Sequence, residues 1–152
     1  MTMLNPYNYA RPKRPMNMPV NKTTQRVTNT RKNGYSKADN YLEQKVMSAK
    51  PEELTLMLYE GIVRFVKQTK LHNDNKDVEK SSYTNMRAQA IVTELRATLD
   101  MTIPISEEFD RLYVYMNERL IEANVNKENE ILDEVIDLAN EFIDAWKTAM
   151  KL

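Results

Sequence analysis

His72 is the only histidine in the chain, and it is the first residue to test for chemistry. A di-iron centre in a helical bundle needs a Glu-x-x-His pair on each of two helices. The residue three before His72 is Thr69, and no second histidine exists, so that centre cannot be built. The chain has no cysteine, which removes thiolate metal sites and disulfides. With a single histidine as well, a thiol or Ser-His-Asp hydrolase lacks its parts. The two glycines, Gly34 and Gly61, cannot make a phosphate-cradling loop of the P-loop or dinucleotide type. His72 therefore reads as a residue near a helix C-terminus, where partial positive charge is favourable.

The carboxylates near the C-terminus are the other candidate. Glu128, Glu130, Asp133, Glu134, Asp137, Glu141 and Asp144 follow one another with no base until Lys147. On a helix, five of them share one sector, but they spread along about 16 Å of axis. A cation cage needs converging oxygens, so these residues read as a solvated acidic face, one that a basic partner can approach. No catalytic, metal or cofactor residues are expected.

Charge is unevenly distributed. Residues 1–40 hold eight Lys or Arg against one acid, Asp39, and residues 41–152 hold fourteen bases against 21 acids. Arg11, Lys13, Arg14, Lys22, Arg26, Arg31, Lys32 and Lys37, with Tyr7, Tyr9 and Tyr35 among them, are what phosphate contacts and base stacking would use. They are spaced out rather than clustered, and the rest of the chain is acidic, so nucleic acid is not expected as a partner. Four of the six prolines fall in the first twenty residues. That composition buries too little apolar surface to offset ordering entropy, and residues 1–38 are expected to be disordered, with the folded domain spanning 39–152.

The elements that would position any site are helical. After a short segment from Tyr41 to Ser48, Pro51 with Glu52 and Glu53 makes a helix start. Apolar spacing predicts helices over about 51–71, 77–100, 107–124 and 128–150, with a polar loop at 72–76 and Ser106 as the cap of the third. Candidate core positions are Thr84, Ala88, Ile91, Leu95 and Leu99, then Phe109, Leu112, Tyr113, Met116, Leu120 and Ala123. On the last helix they are Ile131, Val135, Leu138, Phe142, Ala145 and Ala149, flanked by Leu132, Ile136, Ala139 and Ile143. The fold class is all-α, an antiparallel four-helix bundle with a short N-terminal helical segment and a basic extension. No apolar run nears the roughly 18 residues that span a bilayer, and no secretory signal is present, so a cytoplasmic protein without membrane insertion is expected.

The helix from Pro51 carries two apolar stripes. Leu54, Leu58, Gly61, Ile62 and Phe65 form one; Leu56, Tyr59, Val63 and Val66 form another, roughly 140° away. Periodicity leaves two readings of the second stripe: contact with a second helix of the bundle, or one wall of a groove for a partner. Val114 and Ile121 on the third helix, and Leu132, Ile136 and Ile143 on the fourth, repeat the excess. Exposed apolar grooves of this kind receive amphipathic helices, and methionines such as Met47, Met57 and Met86 suit adaptable surfaces.

Three blocks resemble the flagellin export chaperones, the FliS family. They are Val46 to Gly61 (VMSAKPEELTLMLYEG), Tyr113 to Asn124 (YVYMNERLIEAN) and Asp144 to Lys147 (DAWK), in that family's order and spacing. The resemblance covers about 41–152. It implies a cytoplasmic chaperone, not an enzyme and without a cofactor, that binds the C-terminal segment of flagellin in apolar grooves. Such a protein prevents premature filament assembly and presents the subunit to the flagellar type III export gate, with other flagellar regulators as further partners. On this reading Leu54, Leu58, Ile62 and Phe65 belong to the core, and Leu56, Tyr59, Val63, Val66, Val114 and Ile121 line the flagellin groove. The family also has an N-terminal segment with a tyrosine that lies in the empty groove. Tyr41, with Leu42 and Val46, matches that position; Asn5 to Tyr9 resembles the family's opening, which leaves Tyr9 as the other choice. The sequence departs from the family in Lys50, where a capping Ser or Thr is common, and in about thirty extra residues before Tyr41. The alternative readings are a helical regulatory or interaction protein, or nucleic-acid binding through the basic tail.

Overall fold

The computed structural model describes residues 4–7 and 37–152, so most of the stretch expected to be disordered lies outside the described residues. The chain divides into two units, Met1–Asn8 with Pro51–Leu152, and Tyr9–Lys50. The second unit contributes α1, Lys37–Ser48, which has Asp39 in its first turn, Lys45 in its last and no buried residue. Its last turn is tied by the Ser48 hydroxyl, which donates to the Gln44 carbonyl at 2.9 Å.

The first unit holds four helices: α2 (Pro51–Asp74), α3 (Val78–Ala97), α4 (Ile105–Asn126) and α5 (Asn129–Met150). Helix α2 packs against α3 and α5, and α4 packs against the same two, which closes an antiparallel four-helix bundle. Among the described residues every element is a helix.

The turns explain the reversals. Lys76 takes the left-handed conformation with φ 56°, and the Asp77 amide donates to the His72 carbonyl at 2.9 Å, the bond that closes a Schellman ending. The very next residue, Asp77, caps α3 by accepting from the Lys80 amide at 3.1 Å. A stop and a start on adjacent residues reverse the chain without a loop. Residues 72–74, expected in a polar loop, are therefore the last turn of α2. The other end of α3 comes three residues earlier than expected, at Ala97. Asp100 then accepts from the Thr102 amide at 3.0 Å and its hydroxyl at 2.6 Å, forming a tight turn before Pro104. Ser106 is not the cap of α4: the helix starts at Ile105, and the Ser106 hydroxyl donates to the Asp100 carbonyl at 2.6 Å, fastening the loop.

The core face of α2 lies between its two stripes. Thr55, Tyr59, Ile62, Val66 and Thr69 are buried, whereas Leu54, Leu58 and Phe65 on one side and Leu56 and Val63 on the other are half-buried. The cause is the pair of neighbours, because a helix wedged between α3 and α5 turns the middle of its apolar arc inward. Tyr59 and Val66 are thus core residues, not groove walls as the sequence reading had them. Gly61 permits a close approach to α3, since a Cβ there would stand 3.1 Å from Cδ1 of Ile91.

Helix α3 meets the core with small and polar side chains. The Thr69 and Thr84 hydroxyls share a hydrogen bond at 2.7 Å, and the Asn85 amide donates to the Leu120 carbonyl at 3.0 Å. On α5 the buried set is Ile131, Leu132, Val135, Ala139, Phe142 and Trp146; Leu138 is half-buried and Ala145 exposed, contrary to expectation. Trp146 sets that rotation, its indole N–H donating to the Glu52 carbonyl of α2 at 2.9 Å.

Candidate functional site

One end of the bundle is aromatic. Phe109 and Tyr113 stand one turn apart on α4, Phe142 and Trp146 one turn apart on α5, and Tyr59 faces them from α2. Phe142 is sandwiched between Tyr59 and Tyr113, each with centroids 5.2 Å away, and meets the edge of Phe109.

Into this end comes a segment from the N-terminus. Tyr7 is 5% exposed, its ring edge-on to Trp146 at 5.9 Å. The Asp100 amide donates to the Pro6 carbonyl at 2.9 Å, and the Tyr7 amide donates to Oδ1 of Asn5 at 2.8 Å. The Tyr7 hydroxyl donates to the Leu95 carbonyl at 3.0 Å and lies 2.7 Å from the Tyr113 hydroxyl, itself 2.7 Å from that of Tyr59. Each hydroxyl has one proton, so the order is fixed: Tyr59 donates to Tyr113, Tyr113 to Tyr7, and Tyr7 to Leu95. Leu95 lies in the last turn of α3, where carbonyls lack backbone partners, and its carbonyl accepts from the Thr98 hydroxyl at 3.3 Å as well as from Tyr7. Burial, followed by the neighbouring phenols of Tyr59 and Tyr7, holds Tyr113 far above the ordinary phenol range. A phenol of that kind is a structural donor, not a base.

The expected groove residues do not form one groove. Leu56 and Val63 share the side of α2 that carries Lys70, whose ammonium pairs with Asp133 of α5. Val114 and Ile121 share the side of α4 that carries Asp110 and Asn117. Those two bond Arg96 at 2.6 Å and Thr93 at 3.3 Å, both on α3. Since α2 and α4 are opposite members of the bundle, the α2/α5 and α3/α4 grooves lie on opposite faces. Ile121 is 52% exposed, and Met86 on α3 is 61% exposed. Tyr41, Leu42 and Val46 lie on α1 and are all exposed; Tyr9 is outside the described residues. The tyrosine seated in the bundle is Tyr7, to which the sequence reading gave no such role. The signal was present in Asn5-Pro6, a turn-forming pair directly before it.

Two polar clusters fasten the helices. Arg119 of α4 reaches Glu134 of α5 through Nε at 3.0 Å and its terminal nitrogen at 2.9 Å, and the Tyr115 hydroxyl donates to the same carboxylate. The Tyr115 hydrogen bond, then Arg119, holds Glu134 below its usual range. At the far end the left-handed Lys127 gives its ammonium to Ser82 and Asn124, both at 2.8 Å. Among the described residues no group of three or more His, Cys, Asp or Glu is placed to hold a metal ion, and no helix is long and apolar enough to cross a membrane.

Among the described residues the bundle leaves Leu56, Val63 and Val114 half-buried and Ile121 exposed, and it seats a tail segment at its aromatic end. The model of the family "Flagellar protein FliS" matches residues 33–152. This chain belongs to the FliS family. The flagellar secretion chaperone FliS of Bacillus subtilis (strain 168) is 37% identical over 111 residues, covering 73% of this chain and 84% of that one. Its namesake in Campylobacter jejuni is 33% identical over 99 residues, covering 64% and 77%. That of Escherichia coli (strain K12) is 30% identical over 112 residues, covering 72% and 82%. FliS proteins are chaperones of flagellar secretion, not enzymes, and flagellar proteins are their partners in general. Of the blocks that carried the resemblance, Tyr59, Tyr113 and Trp146 are spent on the aromatic end, and Tyr115 and Arg119 on the tie between α4 and α5.

Proposed function

We propose that this FliS protein is a cytoplasmic export chaperone that binds the C-terminal segment of flagellin, keeps it from polymerising prematurely, and delivers it to the flagellar type III export gate. The observation that carries the reading is the pair of apolar grooves on opposite faces, Leu56 with Val63 and Val114 with Ile121. A segment that is unfolded when free reaches both faces only by wrapping the bundle, which rewards a disordered client over a folded one. Apolar burial supplies the affinity, and ordering of the client subtracts from it.

Calorimetry of the full chain with a flagellin C-terminal peptide tests this. Binding is expected at micromolar concentration or tighter with a markedly negative heat-capacity change. Val63→Glu and Ile121→Glu should each weaken it at least tenfold, and Ile121→Glu, at an exposed position, should do so while the melting temperature holds. Absence of binding across a range of temperatures would remove the proposal. Unchanged affinity in both variants would move the site elsewhere on the bundle.

A further inference from the structure

A third groove, between α4 and α5, contains a hollow of about 190 Å³ lined by Phe109, Leu112, Leu138, Phe142, Ala145 and Trp146, with Glu141 as the polar residue at its edge. For scale, a dry cavity of about 150 Å³ accepts benzene. The hollow therefore has room for one leucyl or phenyl side chain from outside. It opens beside the seat of Tyr7, because Trp146 borders both.

In its surroundings acids outnumber bases, with Arg111 and Lys147 as the neighbouring cations. Glu141 lines the hollow, and Asp137, Asp144 and Glu108 stand next in sequence to the lining residues Leu138, Ala145 and Phe109, all four acids being exposed. Among the described residues none of these four takes part in an ion pair, whereas Asp133 and Glu134, nearer the start of α5, are paired with Lys70 and Arg119. The acid at the edge of the hollow, Glu141, is thus left without an ion pair, and so are Glu108, Asp137 and Asp144.

We infer that this hollow is a docking site for a basic amphipathic segment of a partner protein, which inserts one large apolar side chain between α4 and α5. Lysine or arginine on either side of that side chain faces Glu108, Asp137, Glu141 and Asp144. The apolar contact supplies the hold, and the acidic rim selects the sign and steers the approach. The site is distinct from the α2/α5 and α3/α4 grooves assigned to flagellin, so its failure would leave that assignment standing.

Trp146 is the only tryptophan in the chain, so its fluorescence reports occupancy directly. The probe is a synthetic helical peptide with a central leucine flanked by lysines; its counterpart has glutamates at the same positions. The lysine peptide is expected to shift the Trp146 emission saturably, with a midpoint that weakens as salt rises. Ala145→Arg, at an exposed position, blocks the hollow and should weaken binding at least tenfold without changing the melting temperature. Glu141→Lys with Asp144→Lys leaves the hollow open and should lower affinity for the lysine peptide while raising it for the glutamate peptide. Equal binding of both peptides by the native chain, or unaltered binding by Ala145→Arg, would overturn the inference. An emission that shifts with protein concentration alone would assign the hollow to a second copy and overturn it as well.

Discussion

At the residue scale the tyrosine chain is the decisive feature. Tyr113 is the middle member, completely buried, and its hydroxyl bonds those of both Tyr59 and Tyr7. Tyr113→Phe breaks both links at once, leaving the Tyr59 hydroxyl facing an apolar ring. Urea denaturation should show a loss of about 1–3 kcal/mol, and a comparable one for Tyr7→Phe, which also removes two bonds, the one accepted from Tyr113 and the one given to Leu95. The same residue sets a pH dependence. Its phenol is held above the ordinary value of 10.0 in the folded chain. Its contribution is therefore complete below pH 10 and falls as pH rises above it, because the unfolded chain releases the proton first. Melting curves from pH 8 to pH 11 should show a steeper decline above pH 10 in the native chain than in Tyr113→Phe.

At the element scale the lesson concerns α2. Its helical character, start and amphipathicity were plain from Pro51, Glu52, Glu53 and the spacing of its apolar residues. Which of its stripes faces inward was not, because the answer depends on how many neighbours the helix has, and periodicity does not count neighbours. The true inward face takes Ile62 from one stripe and Tyr59 and Val66 from the other. Ile62→Ala should therefore cost about 2–5 kcal/mol by leaving a cavity. Phe65→Ala, expected from the sequence to be just as severe, should cost less, since Phe65 is half-buried under the guanidinium groups of Arg64 and Arg87. A thermal denaturation series separates the two, and equal losses would restore the stripe assignment made from the sequence. The same blindness explains α5. Apolar residues flank its core face on both sides, and the indole bond of Trp146 to Glu52 is one of the contacts that holds the rotation. Helix ends, by contrast, were legible to within about three residues, because Pro104, Asp77 and the residues after them act locally.

At the scale of the whole molecule the N-terminal seat becomes a question of competition. Residues 5–7 bury the Tyr7 ring, worth roughly 1.5–3 kcal/mol, and gain hydrogen bonds of roughly 0.5–1.5 kcal/mol each. Ordering three backbone residues takes back about 1–2 kcal/mol apiece. The gains and the cost are of the same order, so a small difference sets the fraction of molecules in which the seat is open. A client that needs the aromatic end meets that fraction as a reduction in apparent affinity. Tyr7→Ala, which empties the seat with no substitution in the bundle helices, should then tighten binding of a flagellin C-terminal peptide several-fold. Surface-exposed Leu4 offers the control, since Leu4→Ala alters the same segment without opening the seat and should leave affinity unchanged. If Tyr7→Ala leaves it unchanged too, the client does not use the aromatic end, and the seat of Tyr7 serves the stability of the bundle alone.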